Sequence, residues 1–199
     1  MNLGKIIVYI SSTILITSCA IPNYNHRYKS PKGLDLRTGK WLVSYVEGNL
    51  TTDESKMLAK EVFREFKEIG VDSIQLIDNV RFDYILPDRF RFLVSTQTLD
   101  LLHKTTDFNY MIGVKAVRIK DELASIMIDP PYKESENKSK VEIVVHDIDD
   151  REKIYHQTIT GTVTLDEEDD EVIFTKSTKG LIEGALKRGL KQIKKYAAY

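Results

Sequence analysis

Cysteine is almost absent from this chain: Cys19 is the only one in 199 residues, so no internal disulfide can hold the fold together. Proline is sparse at 5, and the 10 glycines follow no repeat, which excludes collagenous and low-complexity architectures. An excess of either charge is also missing. The 29 Lys and Arg stand against 30 Asp and Glu, a formal net charge of -1, so nothing in the composition suits a phosphate backbone and nucleic acid is not expected as a partner. No segment reaches the ~20 consecutive apolar residues that a membrane-crossing helix requires. The catalytic signatures GxSxG, GxGxxG, HExxH and the P-loop are all missing. His26, His103, His146 and His156 lie far apart in sequence and give zinc no framework.

What is present begins at the N-terminus. Met1 to Lys5 carries one positive charge, and Ile6 to Ile16 is an apolar run softened only by Ser11, Ser12 and Thr13. That is the layout of a secretory signal, too short to span a bilayer. Directly after it, Ile16-Thr17-Ser18-Cys19 resembles the lipobox of bacterial lipoproteins, in which an aliphatic residue and two small ones precede the lipidated cysteine. Small residues let a peptidase close around the backbone, and the thiolate is the nucleophile that takes the diacylglyceryl group. The resemblance implies cleavage after residue 18 and a lipid on Cys19, commonly with an amide-linked acyl chain. The other readings of these residues are an ordinary secreted protein with a stray cysteine and a buried core thiol. Removing residues 1–18 takes away Lys5 alone and leaves 28 basic against 30 acidic side chains. Ala20, Ile21 and Pro22 are uncharged, so the aspartate of inner-membrane retention is lacking, and the resemblance implies an outer-membrane location facing the periplasm.

The rest of the chain reads as a tether over 19–39 and one globular domain over 40–199. Ala20 to Gly39, with Pro22, Asn23, Asn25, Pro31 and Gly33, has little apolar periodicity and is expected to be a flexible spacer. Such a spacer would let the domain search a shell of roughly 25 Å. Lys40 to Val46 has strand composition. Thr51 and Glu54 form a capping box before a helix whose Leu58, Val62, Phe63 and Phe66 share a face, and Gly70 stops it. Ser73 to Asp78 and Arg89 to Val94 read as strands, and Ser95 as the cap of a short helix through Lys104 that buries Leu99 and Leu102.

Beyond Tyr110 the chain becomes β-rich. Tyr110, Ile112, Val114 and Ala116 form one face, then Val141, Ile143 and Val145, then Tyr155, Ile159 and Val163, in a meander of antiparallel neighbours. A short strand is expected near Ser125 to Ile128, and Pro130 to Ser139 reads as a polar loop. A last helix from Lys179 to Ala197 turns Ile182, Ala185, Leu186, Leu190 and Ile193 inward. The expected class is α+β: a single mixed or antiparallel sheet covered by about three helices. This order, with Asp107-Phe108-Asn109-Tyr110-Met111-Ile112-Gly113-Val114 leading into a hairpin, resembles a loose group of periplasmic lipoprotein domains. The group includes activators of penicillin-binding proteins, the curli-secretion lipoprotein and the N-terminal domain of the Tol-system propeller protein. It carries over no functional residues.

Candidate sites are few. The run Asp166-Glu167-Glu168-Asp169-Asp170-Glu171 offers Asp166, Asp169 and Asp170 as calcium ligands, but it lacks the glycine and alternate spacing of an EF-hand, so a solvated turn is the simpler reading. Asp147, Asp149 and Asp150 admit the same two readings. His146 and His156 are candidates to face each other across a hairpin. Trp41, Tyr45, Phe82, Tyr84, Phe90 and Phe92 suit either a binding surface or a core. Taken together, the residues imply a lipid-anchored envelope domain that binds or organises another envelope protein. No catalytic residue, metal or cofactor is expected other than the covalent lipid at Cys19. The alternative is an envelope hydrolase whose site is assembled only by folding.

Overall fold

The computed structural model describes residues 20–28, 34–81, 92–123, 126–127, 135–165 and 173–197. The strands are β1 (Asn23–Tyr28), β2 (Trp41–Gly48), β3 (Ile74–Leu76), β4 (Tyr110–Asp121), β5 (Ile126–Met127), β6 (Ser135–Asp147), β7 (Glu152–Leu165) and β8 (Ile173–Phe174). The helices among the described residues are α1 (Thr52–Glu68), α2 (Thr96–Thr105) and α3 (Thr178–Tyr196). A six-stranded sheet runs in the order β1-β7-β6-β4-β2-β3, and β5 pairs with β8 in a separate two-stranded sheet. β2 is parallel to β3 and β4, whereas the remaining pairs are antiparallel, so the main sheet is mixed.

Two apolar layers follow from the alternation of side chains along the strands. On one face, Trp41, Val43, Ile112, Val114, Val141, Ile143, Val145 and Ile159 pack with the inward stripes of α1 and α3. Trp41 is fully buried there, its ring 5.7 Å from Phe66 and 4.4 Å from Tyr110, and its indole N–H donates to the Thr38 carbonyl. On the other face, Leu42 and Met111 meet Leu99 and Leu102 of α2 together with Ile77, Phe108 and Ile148. Helix caps fix where the covering helices start. Thr51 and Glu54 exchange side-chain and backbone hydrogen bonds in a complete capping box, and Ser95 and Ser177 accept from the N–H groups of Thr98 and Gly180. Glycine at position 70, with φ 99, ends α1 as its sequence predicts.

The structure departs from the sequence reading at four places. The expected tether over 19–39 is largely part of the domain: Asn23–Tyr28 is an edge strand on β7, and Leu34 and Leu36 are buried in the main core. Tyr24 explains the docking. Its ring lies over Gly161, where a Cβ would come within 2.9 Å of it, its hydroxyl end lies against Gly184, where a Cβ would overlap the hydroxyl oxygen, and the Arg188 guanidinium stacks 4.3 Å from the ring centre. Pro130 to Ser139 is not all loop, because β6 already runs from Ser135. Asn137 is fully buried in it, with its amide exchanging hydrogen bonds of 2.8 and 2.9 Å with the Leu123 backbone and donating to the Lys176 carbonyl. Polar composition therefore disguises a strand whose side chains satisfy the chain crossing above them. The strand expected at Arg89 to Val94 is not formed over Phe92 to Val94, and 89–91 lie outside the described residues. Phe92 instead folds across Gly113, with its N–H donating 3.0 Å to the Glu47 carboxylate. Finally, the strand after Ser73 is short and passes into a 3₁₀ turn at Ile77–Asn79.

Candidate functional site

Cys19, Asp166, Asp169 and Asp170 lie outside the described residues. So do Phe82, Tyr84 and Phe90. Of the other aromatics, Trp41 and Phe92 are buried and Tyr45 packs against the α2-side core, so these three build the interior. Asp147, Asp149 and Asp150 form the β6–β7 turn: the Asp147 carboxylate accepts from the N–H groups of Asp149 and Asp150 at 2.9 and 3.0 Å, and Arg151 takes a positive φ of 58. Asp149 is also committed to His103 and Asn109, at 3.0 and 2.8 Å.

The two strand histidines do not face each other. His156 is opposite Val144, two positions before His146 on the neighbouring strand, and His146 is opposite Lys153 because the pairing slips by a residue between Val145 and His146; the unslipped register would set His146 against Ile154. His146 is buried beside Met111, its Nδ1 without a hydrogen-bond partner, and burial, then the Lys153 charge, lowers its pKa to about 4. This buried neutral imidazole sets a pH dependence. Its folded pKa lies below the unfolded value of about 6.5, so its contribution to stability is complete above that pH and is lost as the pH falls toward 4. At ~1.4 kcal/mol per unit the loss approaches about 3 kcal/mol. Denaturant midpoints measured from pH 7 to pH 4.5 are expected to fall more steeply for the wild type than for His146→Leu, which retains the burial and removes the proton site. Parallel curves would contradict the assignment.

His156 has a different neighbourhood. Its Nε2 lies 3.2 Å from Glu142, which also takes a 2.9 Å ion pair from Lys140, and the Phe92 ring lies edge-on at 6.2 Å. Burial pushes the Glu142 carboxyl up, but hydrogen bonds and charge from Lys140 and His156 outweigh it and hold the group below the usual carboxylate range. An imidazole and a carboxylate in contact are the raw material of acid–base chemistry. Here the carboxylate is engaged by Lys140 and by the His156 imidazole at once, and that imidazole is nearly sealed from solvent beside Phe92.

An accessible concavity opens on the helical side, between α1 and α3. Met57 and Leu58 of α1 and Leu186 of α3 line an open groove of about 210 Å³, with Glu61, Glu183 and Lys187 on its rim. A narrower continuation passes Leu50, Ile182 and Lys179 to the Glu54–Arg118 pair. Met57 is 41% exposed above the buried Leu58, so the floor is apolar and reachable. The charges at the narrow end are fixed. The Thr51 backbone N–H, opposed by burial and reinforced by Arg118, holds Glu54 below its ordinary range. No sequence signal pointed to this groove, because it is made by two helices distant in the chain whose outward residues look like ordinary solvated faces. The groove offers an apolar seat bordered by charges of both signs, a combination that recognition sites use.

No protein-family model and no curated protein matches the chain. Solved structures of similar arrangement include the PelC dodecamer of Paraburkholderia phytofirmans, 11% identical with a TM-score of 0.48, over 89% of this chain and 100% of that one. The lipoprotein GNA1162 of Neisseria meningitidis is 9% identical with a TM-score of 0.43, over 78% of this chain and 98% of that one. The hypothetical protein CT253 of Chlamydia trachomatis is 12% identical with a TM-score of 0.42, over 80% and 97%.

Proposed function

We propose that the protein is a lipoprotein of the bacterial cell envelope, anchored through lipid on Cys19 at the outer membrane facing the periplasm, and that its domain works by binding another envelope protein without catalysis of its own. The α1–α3 groove carries the binding half of this reading. Its apolar floor accepts a side chain, and the mixed charges of Glu61, Glu183 and Lys187 orient what enters. The lipobox carries the location, and confinement to a membrane raises the effective concentration of a partner on the same surface, so modest affinity suffices. The alternative, a hydrolase, would draw on the Glu142–His156 pair.

A photo-crosslinking amino acid in place of Met57, introduced in cells, tests the choice. The anchored protein is expected to capture a defined envelope protein from that position. Reversing the rim charges, Glu61→Lys with Glu183→Lys, is expected to reduce capture about fivefold, the equivalent of ~1 kcal/mol. Capture unchanged by the reversal would remove the groove as the binding site. A cellular phenotype abolished by His156→Gln, with folding and capture intact, would favour the hydrolase.

A further inference from the structure

The residue that follows Cys19 is already attached to the domain. Ala20 is half-buried and packs, with Tyr24, against the small cluster of Leu123, Val163, Leu165 and Leu181 at one end of the sheet. β1 pairs from Asn23 onward, in register with Thr162 of β7. Between these two points Ile21 projects from the surface, 87% exposed. A second exposed isoleucine stands at the same end: Ile119, 48% exposed, occupies the bulge next to Lys120, and Lys120, Lys138, Thr162 and Asn23 form one row across the strands. The cations of this row are answered locally, Lys120 and Lys138 each lying 3.3 Å from Glu136.

We propose that the lipidated protein sits directly on the bilayer in one orientation, with the Leu123–Leu165 end of the sheet toward the lipid and Ile21 entering the interfacial layer as a second apolar contact. The proposal rests on lipidation of Cys19 as read above. A lipid on residue 19 and a docked residue 20 leave no length of chain for free tumbling, so the acyl chains emerge beside the domain surface. An exposed isoleucine at that point meets the boundary between headgroups and acyl chains, where burial of apolar area is favourable. The opposite end, the Asp147–Glu152 turn, then points away: β7 from Thr162 to Glu152 spans roughly 33 Å at ~3.3 Å per residue. The N-terminus of α3 is tied to the lipid-facing end by the 3.0 Å bond from Thr178 to Asp121, which places Lys179 and Glu183 of the groove in the membrane-proximal half. A partner reaching the groove is accordingly one that lies close to the same membrane surface. Because the row's lysines are paired with Glu136, and the chain leaving this end at Leu165 continues into the acidic run Asp166 to Glu171, anionic lipid has no free cationic row to engage and the contact depends on apolar burial.

Tryptophan quenching tests this with the full lipidated protein in phosphatidylcholine vesicles carrying brominated acyl chains. The single native tryptophan, Trp41, is fully buried and provides the background. Ile21→Trp is expected to add emission that the bromines quench by at least about half, whereas Asp149→Trp is expected to add emission that they leave intact. Replacing a third of the lipid by phosphatidylglycerol is expected to change neither result. Equal quenching of the two variants would mean a freely turning domain, and quenching of Ile21→Trp only with anionic lipid would mean that charge makes the contact; either overturns the proposal. The mass of the purified protein and its flotation with vesicles separate the two layers of argument. Protein without acyl mass that fails to float ends the lipid reading and this proposal with it, whereas acylated, floating protein with an unquenched Ile21→Trp ends the orientation alone.

Discussion

Gly48→Ala is expected to destabilise the domain by more than about 3 kcal/mol, a value beyond the usual range for a one-carbon surface change. Gly48 closes β2 opposite Ala116 of the parallel neighbour β4, with φ 152, a conformation that side-chain-bearing residues rarely adopt. A Cβ built there would stand 1.7 Å from the Ala116 carbonyl oxygen. That oxygen belongs to the backbone of a central strand, whose ladder to β6 continues through Ala116 and Val141, so it cannot swing aside as the tip of a long side chain can. Relief requires β2 to part from β4 or the following loop to move. That loop carries Asn49, whose side chain exchanges 2.8 and 3.0 Å hydrogen bonds with the Arg118 backbone, and Thr51, the cap of α1. Strain at one glycine therefore spreads to the strand pair and the helix start. Urea denaturation should show a lower midpoint with an unchanged slope. Gly70→Ala is the internal comparison: it shares a positive φ of 99 but has nothing within 4 Å of its Cβ, and it should cost only the backbone term of about 1 kcal/mol.

The contrast between these glycines also marks how far the sequence could be read. Gly70 was legible because helix ends have a local grammar: an amphipathic stripe stops and glycine follows. The caps at Thr51 and Ser95, the inward stripe of α3 and the meander faces were legible for the same reason, since each depends on neighbours three, four or two residues away. Gly48 was not, because its meaning comes from Ala116, far along the chain. The same applies to β1. Asn23 to Tyr28 carries no apolar alternation strong enough to declare a strand, and its place is set by glycines at 161 and 184 that open a slot for Tyr24. Asn137 illustrates the converse, a polar residue in a polar run that is buried because backbone groups of Leu123 and Lys176 complete its hydrogen bonds. Pairings made by tertiary contact decide the places where composition misleads. The α1–α3 groove belongs with them, as a property of two surfaces and of no single segment.

Replacement of the thiol should have the largest effect on where the protein resides, and little on whether it folds. Cys19→Ala removes the only nucleophile that can accept a diacylglyceryl group. Metabolic labelling with a fatty-acid probe is expected to mark the wild type and to be lost entirely in the variant; a variant still marked would end the lipobox reading. Two or more acyl chains, at ~0.8 kcal/mol per buried CH₂, hold a protein to membrane where one chain is marginal, so the change in partitioning is all or none on the scale of a fractionation experiment. Because an unprocessed leader retains the apolar run Ile6 to Ile16, the clean comparison replaces residues 1–18 with a general cleavable signal in the Cys19→Ala background, and that protein is expected in the soluble periplasmic fraction. Its melting temperature should match that of the anchored form in detergent to within about 2 °C. The reason is local: Ala20 seats on Leu123, Val163, Leu165 and Leu181, Tyr24 fills its slot, and the described main core is built from residues between Leu34 and Ile193. A large loss of stability would mean that residue 19 also packs as part of the fold.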